Sequence, residues 1–206
     1  MRTSLFPWLP VVLLSALFLS GGPAAIAATK APKTLAAYTL GQDISAAAEY
    51  LDMNSAQTIW NQEWFKQVEV KNLPGFRNGY LIYGNCNMPG KILRIKLKYD
   101  DTSLAFFERL QKTLQDRYGR GEWRGDPFGT LHSWKWGFTD EKGDSISVIL
   151  QHYSGTDTSY TEGNSIRLAN RDALTREKAC GEAREKDEVR RQDKGKVPSF
   201  DWYLPK

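Results

Sequence analysis

The chain has 206 residues and a small basic excess, with 28 Lys and Arg against 24 Asp and Glu and a formal net charge of +4. An excess of this size does not predict nucleic-acid binding, which depends on a strongly basic surface. The length fits one domain with a sizeable core.

The first 27 residues have the form of a secretory signal peptide. Arg2 supplies a positive charge, residues 11–19 are almost entirely apolar, and residues 25–27 (Ala-Ile-Ala) match the small-x-small pattern of a cleavage site. The apolar run is too short to span about 30 Å of hydrocarbon, and no later segment is apolar enough to do so. We therefore expect a soluble mature chain without a membrane span, exported to the periplasm, with an extracellular location as the alternative.

The sequence contains two cysteines, Cys86 and Cys180. In an oxidising compartment a small, even number of cysteines predicts one disulfide. The alternative is two buried free thiols, but both residues lie in polar or charged surroundings rather than in apolar runs. A Cys-x-x-Cys motif is absent, which argues against a thiol oxidoreductase.

The first part of the expected mature chain is predicted to be a lead-in followed by helices. Residues 28–39 are small and polar, so we expect a flexible segment there. Asp43 is placed to cap a first helix, because its side chain can accept hydrogen bonds from the free amides of the first turn. A second short helix is predicted around Ile59 and Trp64.

Alternating apolar residues predict three strands in the first half of the chain, at residues 65–70, 80–83 and 93–99. In the third of these strands Arg94, Lys96 and Lys98 alternate with apolar residues. That alternation predicts a basic, solvated face, with attraction to anionic lipid or lipopolysaccharide as the alternative interpretation.

The second half begins with the clearest helix prediction, over residues 104–118, which Gly119 is placed to end in a left-handed conformation. Three further strands are predicted at 131–139, 145–153 and 164–169, followed by a charged helix over 172–193. An aromatic tail comes next and contains Phe200, Trp202 and Tyr203. It either folds back on its own domain or docks on a partner protein.

The element order is helix, three strands, helix, three strands, helix. We therefore predict an α+β fold in which two helix-plus-three-stranded antiparallel meander units form one domain over residues 40–170. The charged helix and aromatic tail over 171–206 are tethered to that domain by the disulfide. This order resembles the tandem helix-and-sheet folds of secreted β-lactamase inhibitor proteins and of small outer-membrane assembly lipoprotein modules. The resemblance concerns fold alone, and the lipidated Cys of the lipoprotein modules is missing.

A histidine pair follows from the predicted hairpin around residues 140–144. If those five residues form the whole loop, every apolar pair falls on one face, and His132 lies directly opposite His152. Two imidazoles so placed can share a divalent metal or act as a pH-sensitive pair. The structural alternative is a half-buried pair that closes the sheet edge.

A second candidate site is an aromatic and charged stretch that contains Trp123, Arg124, Asp126 and Phe128. Flat aromatic faces beside a charged pair suit sugar rings or an extended peptide. The alternative is ordinary core or loop packing.

Motifs for nucleophilic or zinc hydrolysis are missing: we find no Gly-x-Ser-x-Gly elbow and no His-Glu-x-x-His sequence. The sequence therefore favours a non-catalytic binding or envelope-assembly protein, with a periplasmic or envelope protein as partner and no cofactor. One alternative is an enzyme that acts on cell-wall sugar or peptide through His132, His152 and Asp126. The other is a metal-binding module that uses the histidine pair.

Overall fold

The structure, a computed structural model, describes residues 30–192 and 199–205. The predicted signal peptide lies outside these residues.

Eight strands form one antiparallel sheet, and a separate two-stranded hairpin precedes it. The hairpin strands are β1 (Thr34–Leu35) and β2 (Tyr38–Thr39); the sheet strands are β3 (Leu51–Ile59), β4 (Gln62–Val70), β5 (Phe76–Gly84), β6 (Ile92–Tyr99), β7 (Glu122–Trp123), β8 (Leu131–Thr139), β9 (Ser145–Tyr153) and β10 (Gly163–Asn170).

The sheet consists of two meanders that meet in its centre. Its order is β3-β4-β5-β6-β10-β9-β8-β7, so the last strand of each meander pairs with the last strand of the other. The predicted α+β class with antiparallel sheet is confirmed. Each meander has four strands rather than the predicted three, because β3 and the very short β7 lack the regular apolar alternation that marks a strand in sequence. In β3 the pairing is also interrupted by register shifts.

Two α-helices, α1 (Leu104–Tyr118) and α2 (Arg171–Gln192), and two short 3₁₀ helices, Ile44–Tyr50 and Phe200–Tyr203, complete the structure. Asp43 caps the first 3₁₀ helix as expected, and Gly119 ends α1 at φ 78°. The second predicted helix, around Ile59 and Trp64, is wrong. Those residues form the β3–β4 hairpin, in which β4 also pairs with β5 and so gains hydrogen bonds on both sides.

The main core lies on one face of the sheet, where α1 and the first 3₁₀ helix cover it. Phe107 of α1 is almost fully buried there against the inward side chains of β8 and β9. Tyr38, within the segment predicted to be a flexible lead-in, is fully buried in the same core, and its hydroxyl donates to the Tyr50 carbonyl at 2.9 Å. Residues 34–39 therefore form part of the packed domain.

Helix α2 lies on the opposite face, over β4 and the neighbouring strands, in a smaller cluster with Trp64, Phe65 and Leu93. The predicted disulfide between Cys86 and Cys180 is present and ties this helix to the loop after β5. Within residues 30–192 and 199–205, no helix is both long enough and apolar enough to cross a membrane. Because α2 covers only part of its face, the rest of the sheet there stays open.

Candidate functional site

The open part of the outer sheet face carries cationic side chains from three strands. We call this set the basic face; its members are Arg94, Lys96 and Lys98 of β6, Lys135 of β8 and Arg167 of β10. Alternation along each strand produces it, because Ile95 and Leu97 of β6 point to the core and leave Arg94, Lys96 and Lys98 outside. All five basic side chains are half-buried rather than fully exposed.

The pairing of β6 with β10 brings the two arginines of this face together. Arg167 lies opposite Lys96, and Ala169, two residues further along β10, lies opposite Arg94. Arg94 and Arg167 are therefore diagonal neighbours on adjacent strands, a placement in which long side chains reach each other.

Beside the first turn of α2, the basic face closes into a cavity of about 210 Å³, which we call the basic cavity. Apolar side chains of Ile149, Ala169 and Leu174 contribute to its walls. Its remaining lining is mostly cationic, from Arg94, Arg124, Lys135, Arg167 and Arg171. Five cations, from three strands, the residue that follows β7 and the first turn of α2, thus line one small space.

Carboxylates offset the positive charge on only one side of this cavity. Glu122 at the exposed rim pairs with Arg124 at 2.8 Å and more distantly with Lys135 at 3.9 Å. Among the ion pairs of the described residues, none involves Arg94, Arg167 or Arg171. The central arginines therefore have no carboxylate partner in that part of the chain.

The environment of these arginines disfavours their charge. Burial lowers the pKa of the Arg94 guanidinium, and the positive charge of Arg167 lowers it further. Burial also lowers the pKa of Arg167. The Nε atom of Arg94 is buried and has no hydrogen-bond partner among the described residues. A bound oxyanion would supply the missing negative charge.

The far end of the basic face is organised differently. Lys96 Nζ donates to Thr161 Oγ1 at 2.5 Å and lies 6.0 Å from the centre of the Tyr80 ring. Burial lowers the pKa of Lys96, with further lowering from the charges of Arg167, Lys98 and Arg94. Lys98 lines a separate, wider cavity beside the loop that precedes β10. The basic face thus ends in the small basic cavity at α2 and in the wider cavity at that loop.

The histidine pair is placed as predicted, with His132 of β8 directly opposite His152 of β9 and ring centres 5.9 Å apart. Both rings pack against Phe107. His152 is buried, and its Nδ1 shares a 2.8 Å hydrogen bond with Asn164 Oδ1. Asn164 in turn donates to the carbonyls of Asp101 and Ser103, just before α1. The pair therefore connects the sheet to the start of α1.

A metal site would need further ligands near these rings. In the part of the chain that the structure describes, no group of three or more His, Cys, Asp or Glu side chains is arranged to hold a metal ion.

The aromatic and charged stretch does not converge on one point. Trp123 packs edge-on against Trp134 and His132 on the core side of the sheet, whereas Arg124 lines the basic cavity on the other side. Asp126 accepts from the Phe128 amide at 2.9 Å and the Thr130 amide at 3.1 Å, so its carboxylate holds a turn. The Phe128 side chain is 87% exposed at that turn. Of the four residues, only Arg124 belongs to the basic cavity.

Comparison with protein-family models, with curated proteins and with solved structures finds no match to this chain.

The aromatic tail forms the short 3₁₀ helix Phe200–Tyr203. Its side chains are exposed, by 77% for Phe200, 71% for Trp202 and 64% for Tyr203. Burial of the tail against its own domain, one of the two interpretations of the sequence, is therefore not seen for these side chains.

Sequence reasoning identified the basic alternation of β6 but missed Lys135, Arg167 and Arg171 as its neighbours. Arg167 stands between Ile166 and Leu168, so an outward position could have been read from its strand. The missing information was the pairing of β6 with β10, which are separated along the chain by α1 and the first three strands of the second meander.

Proposed function

We propose that this protein is an exported, non-catalytic binding protein that takes an anionic ligand on its basic face. One observation carries the proposal: Arg94 and Arg167 are half-buried side by side without a carboxylate partner in the described chain. Buried charges in proteins are normally paired, because desolvation is costly. An unpaired cationic pair at a cavity is therefore the arrangement expected where a ligand supplies the counter-charge.

The alternative of an enzyme that uses His132, His152 and Asp126 receives less support from the geometry. His152 is buried in contact with Phe107 and Asn164, and Asp126 is committed to a turn. A general base must instead reach the proton that it removes from a substrate.

Export is proposed from the signal-like first 27 residues, with the periplasm as the compartment and the extracellular medium as the alternative. The disulfide between Cys86 and Cys180 is compatible with an oxidising compartment. We further interpret the fold as one helix-plus-meander unit used twice. In that interpretation β6 and β10 are the last strands of the two units, and the basic face lies where the units meet.

A binding experiment with a polyanion tests the proposal. The mature protein is applied to immobilised dextran sulfate and eluted with a salt gradient. The double variant Arg94→Gln/Arg167→Gln is expected to elute at clearly lower salt than the matched control Arg109→Gln/Arg120→Gln. The control removes the same charge from exposed positions in and just after α1.

Circular dichroism establishes that both variants are folded. Elution of both at the same salt would show that net charge alone drives retention, and it would overturn the assignment of the site to the basic face.

An assembly role through the aromatic tail is a second candidate, favoured by the exposure of Phe200, Trp202 and Tyr203. Exposed aromatic side chains of this kind are typical anchors at protein interfaces. A periplasmic protein recovered by the full mature chain, but not by a chain ending at Gln192 or by a triple alanine variant of the tail, would support this role. Equal recovery with all three proteins would exclude the tail as the docking element.

A further inference from the structure

We infer that the basic cavity is a subsite for one phosphate group, presented as the end group of a larger molecule or as the free ion. The inference deepens the proposed function and rests on it, because the cavity lies at the α2 end of the basic face. The expected contacts are the guanidinium groups of Arg94, Arg167 and Arg171.

The size of the basic cavity limits what it can hold. At about 210 Å³ the basic cavity is smaller than the range of roughly 300–1,000 Å³ in which proteins enclose whole small-molecule ligands. It therefore fits a compact charged group, while the remainder of a larger ligand lies outside, along the open part of the basic face.

The donor geometry of the arginines favours phosphate. The guanidinium is a planar fork with five donors, and it matches the oxygen spacing of phosphate better than the single ammonium of Lys does. Arg94 and Arg167 lie on adjacent strands about 4.8 Å apart, at diagonal positions that are about 7–8 Å apart at Cα. Both forks can therefore reach one small anion between them.

The Arg94 side chain is only partly satisfied by the rest of the described chain. The Nε of Arg94 is buried and lacks a hydrogen-bond partner within the described residues. A buried donor without an acceptor is unfavourable, so the Arg94 side chain is incompletely compensated by the described residues around it. Ala169 stands opposite Arg94 and leaves room there, where a larger side chain would fill the space.

The number of positive charges favours phosphate over a carboxylate as the bound group. Arg94, Arg167 and Arg171 together bring three positive charges that no carboxylate of the described ion pairs offsets. A phosphate monoester carries up to two negative charges and offers more acceptor oxygens than a carboxylate. It therefore neutralises more of the repulsion between the arginines.

Isothermal titration with inorganic phosphate, at constant ionic strength, tests the subsite, with acetate and sulfate as comparison anions. We expect saturable one-to-one binding of phosphate that acetate does not reproduce. Arg167→Lys keeps the charge but removes the fork, and we expect it to weaken phosphate binding by about tenfold. Arg171→Gln, an exposed position, is a second variant that leaves the sheet undisturbed and is expected to weaken binding in the same direction.

Arg109→Gln is the matched control for Arg171→Gln. Like that variant it removes one charge from an exposed position, but it lies on α1, outside the basic face, so phosphate affinity is expected to stay within about twofold. Equal losses in Arg171→Gln and Arg109→Gln would overturn the subsite.

Vesicles then distinguish the source of the phosphate. Binding to phosphatidylcholine vesicles that contain phosphatidic acid, competed by inorganic phosphate and lost in Arg167→Lys, would support a lipid headgroup. Binding of inorganic phosphate without binding to those vesicles would support a free or polymer-borne phosphate. Absence of saturable phosphate binding, with retention on dextran sulfate preserved, would overturn the subsite and leave the proposed function standing; loss of both would overturn both.

Discussion

At the scale of single residues, Arg94 is the residue for which the proposed binding role has the clearest consequence for stability. It lines both the basic cavity and a second small cavity whose walls include Phe65, Ile82 and Leu174. Its Nε has no partner in the described chain, and Arg167 repels it. We therefore expect its contribution to folding to be unfavourable.

Replacement of Arg94 by Met should therefore stabilise the free protein. Met retains the apolar contacts of the side chain and removes a poorly solvated charge, so we expect the free energy of unfolding to rise by about 1 kcal/mol. Urea denaturation measures it, with Arg109→Met on the exposed side of α1 as the control. A loss of stability in Arg94→Met would mean that the arginine is compensated in the free protein.

Asp144 provides a residue-level prediction for pH. Hydrogen bonds from Arg176, in a two-pronged contact at 2.8 Å, and then from Asn170 lower the pKa of this carboxyl to about 2. Because its pKa is lower in the folded than in the unfolded protein, Asp144 stabilises the fold above pH 4, and this contribution is lost as the pH falls from about 4 to about 2.

The contribution of Asp144 is at most about 2 kcal/mol. Asp144→Asn should therefore be less stable than the wild type at pH 6, and the difference should shrink towards pH 2. Urea denaturation of both proteins at pH 6, 4 and 2.5 measures this difference in the free energy of unfolding. A difference that stays constant over this range would contradict the assignment.

At the scale of elements, Glu177 and the disulfide together hold α2 on the sheet. The Glu177 carboxylate is fully buried and accepts hydrogen bonds from four consecutive backbone amides in the loop after β5. These amides belong to Asn85, Cys86, Asn87 and Met88. A single residue of α2 thus accepts the backbone hydrogen bonds of the loop that contains Cys86. It also holds α2 in the position where it forms one wall of the basic cavity.

Glu177→Gln tests this contact. The amide side chain keeps one acceptor oxygen but turns an NH₂ group towards backbone donors, so we expect a loss of about 2–3 kcal/mol in stability. Hydrogen exchange should show faster exchange of the amides of residues 85–88 than in the wild type. Glu185→Gln on the exposed side of α2 is the control, and equal protection of those amides in both variants would contradict the role of Glu177.

At the scale of the whole molecule, the two faces of the eight-stranded sheet carry different features. One face carries the main core under α1, and the other carries α2 at one end and the basic face at the other. The aromatic tail lies beyond α2, and its exposed side chains bury little area in the structure.

Removal of the tail should therefore leave folding intact. A chain ending at Gln192 is expected to have the same free energy of unfolding as the full mature chain, within about 0.5 kcal/mol. Thermal and urea denaturation of the two proteins measure the difference. A clear drop in stability would show that the tail packs on its own domain in solution.

The sequence by itself determined the elements whose patterns are local. Alternation predicted β6, β8 and β9, helical spacing and Gly119 predicted α1, and the hairpin around 140–144 placed His132 opposite His152. These predictions succeed because the deciding contacts are between near neighbours in the chain. The pairing of Cys86 with Cys180 also followed, since only two cysteines are present.

The tertiary structure alone decided what the local pattern does not encode. Strand β3 has no clear alternation, and it forms because β4 offers a free edge for pairing. The basic cavity likewise depends on the meeting of β6 with β10 and on the position of α2, which bring Arg94 from a distant part of the chain to Arg167 and Arg171. Each arginine alone looks like an ordinary surface residue, and only their convergence in a half-buried space makes their charges costly enough to indicate a ligand.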